Sequence, residues 1–98
     1  MDYWIDGRTI RSIDDFHEAF ARLGCAPEWI GRNMDALWDT LTGLLQGPVI
    51  LHWTDAEMSA QAMGTEFDRL VALMREAEAD TASAPGRLFK LHLLGRPN

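Results

Sequence analysis

The chain has 98 residues, of which 47% are hydrophobic, and it carries a formal charge of −6. This length accommodates one domain with a packed core, and this hydrophobic fraction excludes an intrinsically disordered chain. The balance of 15 acidic against 9 basic side chains argues against a nucleic-acid groove, because such grooves hold phosphates with clustered Lys and Arg. We therefore expect no direct nucleic-acid binding, and the charge favours a basic partner.

Features typical of exported or membrane proteins are not evident in the sequence. No apolar run approaches the roughly 18 residues that indicate a membrane span. The first residues, Met1-Asp2-Tyr3-Trp4, lack the basic and apolar regions of a secretory signal. The single cysteine, Cys25, cannot form an internal disulfide, which fits a reducing compartment, and we expect it to be a small apolar filler. The sequence thus predicts a cytoplasmic protein without membrane contact.

The first elements in chain order are a strand and a helix. Residues 2–6 are rich in Tyr, Trp and Ile and precede an Asp-Gly turn, a pattern typical of a short strand. Ser12 with Asp15 three residues later has the spacing of a capping box. Apolar residues then recur at helical spacing up to a glycine, which predicts a helix over residues 13–23.

A second helix, a second strand and a third helix follow. Asn33 is suited to cap a helix over residues 34–46, which has a continuous apolar stripe. Residues 49–53 form a compact, mostly apolar run of the kind found inside parallel sheets. Thr54, with Glu57 three residues later, predicts the cap of a short third helix.

The last third of the chain predicts one more helix and one more strand. Thr65, with Asp68 three residues later, is the expected cap of a longer helix. Residues 80–86 are expected to form a loop, and residues 88–94 a final strand.

Strands separated by helical stretches favour a parallel sheet. We therefore expect an α/β fold, with a three-stranded parallel sheet packed by about four helices. Residues 1–94 would form its single domain and residues 95–98 a short C-terminal tail. Trp4 and Trp53 fall in predicted strands and are expected to lie in the core.

The second helix contains two acids and no Lys or Arg. Asp35 and Asp39 are four residues apart, so they share one helical face and repel each other. Two solvated acids on an outer face are one interpretation. The neighbouring Trp29, Trp38 and Thr42 favour another, because acidic, aromatic and hydroxyl groups together are typical of a recognition surface.

The segment 27–43 contains the motif Gly-x-Asn-x-Asp-Ala-Leu-Trp-Asp and resembles the signature of the barstar family, the intracellular inhibitors of barnase-type ribonucleases. The resemblance implies a barstar-like fold whose second helix blocks the ribonuclease active site. It implies that Asp39 takes the place of a substrate phosphate and that Asp35 faces the same basic cluster. The resemblance also implies which residues contact the partner. They are Trp29, Asn33, Asp35, Trp38, Asp39, Thr42, Gly43 and Glu76.

The resemblance also implies a partner, a basic secreted ribonuclease of the barnase type. The protein itself is expected to be a monomer when free, to form a 1:1 complex with its target, and to need no cofactor. Three residues depart from the family pattern. Trp29 stands where a Tyr is usual, Arg32 where an acid is frequent, and Leu44 where an aromatic residue contacts the partner. These departures predict a different ribonuclease as the target.

Two other functions stay open from the sequence. The first alternative is an immunity module of the same fold that acts as an antitoxin against another nuclease. The second is an inert structural or regulatory domain whose acids are only solvated. An enzyme is not expected, because two carboxylates on one convex helix face cannot flank a substrate bond. A metal site is not expected either, because the three histidines lack ligand spacing.

Overall fold

The computed structural model describes residues 1–26, 33–45 and 47–95. Its centre is a three-stranded parallel sheet in the order β1–β2–β3, and the predicted α/β fold is confirmed. The strands are β1 (Asp2–Asp6), β2 (Val49–Thr54) and β3 (Phe89–Leu93). The α-helices of the described residues are α1 (Ile13–Ala21), α2 (Met34–Asp39), α3 (Ala56–Met63) and α4 (Thr65–Thr81).

The core lies between one face of the sheet and the helices, and Trp53 of β2 is at its centre with no solvent exposure. The ring of Phe16 from α1 lies 5.3 Å from the Trp53 ring, and that of Phe67 from α4 lies 5.2 Å away. The Trp53 indole N–H donates to Ser59 Oγ at 3.1 Å, and Ser59 donates to the Gly7 carbonyl at 2.9 Å. The one polar atom of this buried side chain is therefore satisfied, as burial requires.

The other side of the sheet, which we call the open sheet face, consists of the alternate strand residues Asp2, Trp4, Asp6, Ile50, His52, Thr54, Lys90 and His92. The core prediction is confirmed for Trp53 but wrong for Trp4, whose side chain is 58% exposed. The reason is the two-residue period of a strand, which puts Trp4 on the same side as Asp2 and Asp6 while Ile5 points into the core.

The two predicted caps in the first half of the chain are confirmed. Ser12 Oγ accepts the N–H of Asp15 at 3.1 Å, and the Asp15 carboxylate accepts the N–H of Arg11 at 3.0 Å. Asn33 Oδ1 accepts the N–H of Ala36 at 2.8 Å. The buried position expected for Cys25 is also confirmed, with 3% of its surface exposed.

The two threonine caps predicted later in the chain are wrong. Thr54 is the last residue of β2, and its hydroxyl donates to the Ile5 carbonyl at 3.2 Å, so it is not available to a helix. The residue before α3 is Asp55, which has a left-handed φ of 48°. Thr65 is already the first residue of α4, which follows Gly64 without a side-chain cap.

Several predicted boundaries also shift. α1 ends at Ala21, two residues earlier than predicted, and α4 extends to Thr81, inside the predicted loop. The Thr81 hydroxyl extends this helix because it donates to the Ala77 carbonyl at 2.8 Å and accepts the Phe89 N–H at 3.0 Å. A 3₁₀ turn at Pro85–Arg87 then leads into β3.

Candidate functional site

The candidate site begins at the N-terminus of α2. The Asn33 side chain satisfies one of the N–H groups that a helix leaves unpaired at its start. Asp35 lies in the first turn, where the positive end of the helix dipole stabilises a carboxylate. The local sequence thus fixes where the helix starts and favours an acid close to that start.

α2 divides into a buried and an exposed side. Leu37 is buried in the core and Trp38 is half-buried against it, whereas Asp35 and Asp39 are exposed. Neither carboxylate makes a hydrogen bond or an ion pair with any of the residues in 1–26, 33–45 and 47–95. Two negative charges on adjacent helical turns are therefore presented to solvent without a counter-charge from the described part of the chain.

The helix changes its winding directly after Asp39. Residues Thr40–Leu44 form a π-helical segment, so the α-helix predicted to continue to Gln46 is wrong from Thr40 onward, and Gln46 lies outside the described residues. The hydroxyls of Thr40 and Thr42 each donate to the carbonyl four residues earlier, both at 2.8 Å. π-helical turns are rare and occur frequently at functional sites. Here the change coincides with the second acid.

Thr42 and Gly43 continue the candidate surface along the π segment. The Thr42 side chain is half-buried, and its hydroxyl proton is used by the Trp38 carbonyl, which leaves an oxygen that accepts hydrogen bonds. Gly43 is exposed, with open space where a side chain would project. A partner can therefore approach the backbone closely at this end of the surface.

Four further positions come from the sequence prediction. Trp29 and Arg32 lie outside the described residues. Glu76 is exposed on α4, and no hydrogen bond or ion pair joins its side chain to another residue of the described ranges. Leu44, the third departure from the family pattern, is half-buried at the end of the π segment.

A cleft of about 260 Å³ lies beside the N-terminus of α2. Its lining residues come from α1, α2 and α4 and are Ile13, His17, Asn33, Met34, Glu66 and Arg69. The position of Glu66 and Arg69 beside α2 was not predicted from the sequence. No pattern along the chain indicates that pairing, because it depends on how α4 packs against α2.

Neither a metal-binding cluster nor a membrane-spanning helix is found among residues 1–26, 33–45 and 47–95. No cluster of three or more His, Cys, Asp or Glu side chains is arranged to hold a metal ion there. In those ranges, no helix has both the length and the apolar character needed to cross a membrane.

Comparison with known proteins identifies the family. The sequence model of the barstar (barnase inhibitor) family matches residues 2–93, which is nearly the whole chain. This chain belongs to the barstar family. The match includes α2 and its two acids, so the resemblance noted from the segment 27–43 is confirmed.

A bacterial relative supports this membership of the barstar family. The chain is 34% identical over 76 residues to a protein of Bacillus subtilis (strain 168) named "Putative ribonuclease inhibitor YrdF". The aligned region covers 78% of this chain and 84% of that protein. The barstar-family fold thus brings Asp35, Trp38, Asp39, Thr42 and Gly43 together on α2 and the π segment.

Proposed function

We propose that this protein inhibits a ribonuclease by inserting the acidic face of α2 into the enzyme's active site. The proposal is supported by membership in the barstar family and by a relative named as a ribonuclease inhibitor. The observation that carries it is the exposure of both Asp35 and Asp39, neither of which has a partner among the described residues.

The chemistry of the inhibition is phosphate mimicry by Asp39. Ribonuclease active sites bind the phosphate of RNA with basic side chains. A carboxylate offers an arginine two oxygens in nearly the same geometry as a phosphate, and so forms a bidentate pair. Asp35, one helical turn earlier, extends the contact to the same basic cluster. The protein therefore acts as an inhibitor and not as an enzyme.

The remaining residues of the surface surround the two acids. Trp38 supplies an amphipathic ring at the border of the core, Trp29 and Asn33 are expected with it around the acids, and Glu76 is expected at the periphery. Thr42 and Gly43 form the far end, where the exposed backbone permits close approach. Such apolar and polar groups around a central charge exclude water and strengthen its interactions.

The target class that fits this surface is a basic secreted ribonuclease of the barnase type, bound by one inhibitor chain for each enzyme. The net charge of −6 supports a basic partner because opposite charges accelerate association. A producing cell needs such an inhibitor in its cytoplasm before the enzyme is exported.

The test is inhibition of purified barnase-type ribonuclease by the wild-type chain and by Asp39→Ala and Asp39→Asn variants. Both variants should lose about 2–5 kcal/mol of binding free energy, as is typical when one partner of a buried charge pair is removed. Glu57→Ala is the matched control, because Glu57 is an exposed acid on α3. It removes the same charge and should bind like the wild type.

Two results would contradict the proposal. If Asp39→Ala and Glu57→Ala inhibit equally well, Asp39 is not the centre of the contact. If the wild-type chain inhibits no barnase-type ribonuclease but protects cells from a different nuclease toxin, the immunity function is correct instead.

A further inference from the structure

The open sheet face carries a row of three ring side chains. Trp4 stacks on His52 with ring centroids 4.8 Å apart and planes at 15°, and the rings of His52 and His92 meet edge-on at 5.0 Å. The strand register places these three residues directly beside one another across the sheet. Since the rings are already ordered by stacking, a partner that covers them pays little entropy to fix them.

This face is exposed to solvent on its two edge strands, β1 and β3, and half-buried along β2. Trp4 is 58% exposed, and Lys90 and His92 of β3 are also exposed. Parallel sheets in proteins are almost always covered on both faces, so a parallel sheet with helices on one face leaves a surface suited to a partner. An exposed tryptophan on such a surface is typical of protein–protein contacts.

The charges at the two edges of the face have opposite sign and occupy equivalent positions. Asp2 on β1 and Lys90 on β3 are both in register with Ile50 of β2. Lys90 forms no ion pair with a described residue, and the Asp2 carboxylate, 48% exposed, is 3.7 Å from His52 Nε2. The face therefore has an incompletely paired negative charge at one edge and an unpaired positive charge at the other.

Such a face is complementary to itself. A two-fold axis parallel to β2 reverses the order of the strands across the sheet, so β1 of one copy lies opposite β3 of the other. The same rotation leaves the position of each residue along the strand direction unchanged. Asp2 then faces Lys90 of the second copy, and Trp4 faces His92 of the second copy. A two-fold axis across the strands instead places Asp2 opposite Asp6 of the second copy, where like charges repel.

We propose that this protein forms a weak symmetric dimer in which two open sheet faces pack against each other about an axis parallel to β2. The occupant of the face is a second copy of the chain. The paired sheets lie about 10 Å apart, as in other face-to-face sheet packings.

The size of the face makes the dimer weak. Three strands about 4.8 Å apart, each of five residues rising about 3.3 Å, give a footprint of roughly 240 Å². Stable complexes bury about 800 Å² per partner, so this smaller contact should form a dimer only toward the millimolar end of protein concentration. The monomer expected from the sequence therefore dominates in dilute solution, and the dimer forms at high concentration.

The dimer leaves the acidic helix free. The buried residues of α2 pack on the core side of the sheet, opposite to the open sheet face. Each chain of the dimer can therefore still present Asp35 and Asp39. Self-association and partner binding are thus independent, and either can fail in an experiment without the other.

Sedimentation equilibrium of the full chain between about 10 μM and 1 mM tests the dimer, because its population depends on protein concentration. The apparent mass should rise from 11.0 kDa toward twice that value. Asp2→Lys and Lys90→Asp should each weaken association about tenfold, since each reversal makes two symmetry-related pairs repulsive. The double variant Asp2→Lys/Lys90→Asp should restore it.

Three further variants sharpen the test. Trp4→Gln removes the exposed tryptophan ring without adding charge and should also weaken association about tenfold. Glu57→Lys, an equal charge reversal on α3, should leave association unchanged. Asp2→Lys should bind ribonuclease like the wild type.

A wild-type chain that stays at 11.0 kDa throughout the concentration range overturns the proposal. A dimer that is insensitive to both single reversals, or a double variant as weak as the single ones, overturns it as well. Far-UV circular dichroism of each variant verifies that the chain is folded.

Discussion

The carboxylate of Glu78 on α4 accepts the backbone N–H of Leu91 on β3 at 2.7 Å. Glu78 is also paired with Arg75 at 3.0 Å, and the Arg75 guanidinium donates to the Leu91 carbonyl at 2.7 Å. Two side chains of one helix thus bond the outward N–H and C=O of the same edge-strand residue, as a neighbouring strand would. Because unpaired strand edges are templates for aggregation, this arrangement protects β3.

We predict that Glu78→Ala destabilises the protein by about 1–3 kcal/mol, because the variant loses a hydrogen bond to a charged acceptor and leaves Arg75 without its carboxylate. Urea unfolding measures the loss, and amide hydrogen exchange should accelerate most at Leu91. Glu76→Ala is the matched control on the same helix, since Glu76 is exposed. Equal stability of the two variants would mean that the contact with β3 contributes nothing.

Gly7 is expected to tolerate no side chain. A Cβ at this position would lie 2.1 Å from the Asp55 carbonyl oxygen, and the Gly7 N–H already donates to the Thr54 carbonyl at 2.7 Å. Gly7→Ala must therefore separate the ends of β1 and β2, at a cost of about 3 kcal/mol or more. Gly86→Ala, where a Cβ meets open space, should change stability little. Thermal unfolding of the two variants compares them directly.

Stability should depend on pH through Asp6. The Arg8 side chain and the Arg8 backbone N–H hydrogen-bond the Asp6 carboxylate and hold its pKa below the ordinary value of 3.8. A lowered folded-state pKa stabilises the protein above the unfolded pKa, and the stabilisation is lost as the pH falls through the folded value. Asp6→Asn should therefore lower the free energy of unfolding at pH 7. The difference in this free energy between the variant and the wild type should shrink as the pH falls from about 6 to about 3.

Urea unfolding across this pH range measures the Asp6 effect. The ion pair is exposed, so the effect should be small and should decrease with added salt. Arg8→Gln removes the Asp6–Arg8 ion pair by replacing the arginine instead of the aspartate. The stability difference between this variant and the wild type should likewise shrink as the pH falls. A constant difference between wild type and Asp6→Asn at all pH values would contradict the prediction.

Association with a basic ribonuclease should be steered by charge. We predict that the association rate falls markedly between roughly 0.05 and 0.5 M salt, because salt screens the exposed aspartates of α2. Asp35→Asn and Asp39→Asn should each associate more slowly at low salt and show a shallower salt dependence. Stopped-flow fluorescence measures these rates, and wild-type rates that do not change with salt would exclude steering.

The sequence by itself predicted the elements and their order, because each depends on local chemistry. Ser12 and Asn33 form the caps that their spacing predicted, and the apolar run at residues 49–53 is a buried strand. The motif in segment 27–43 pointed to the barstar family, which the comparisons confirm. The exposed positions of Asp35 and Asp39 also followed from helical periodicity alone.

Other features depended on contacts between distant residues, which no local pattern reports. Thr54 has a cap sequence but bonds the Ile5 carbonyl, since β2 lies beside β1. The two-residue period grouped Trp4 with Asp2, yet only the placement of the helices on one side of the sheet decided that Trp4 is exposed. Glu78 lies on a helix whose neighbours in the fold the sequence does not indicate, and only the packing of α4 against β3 brought its carboxylate to the Leu91 N–H.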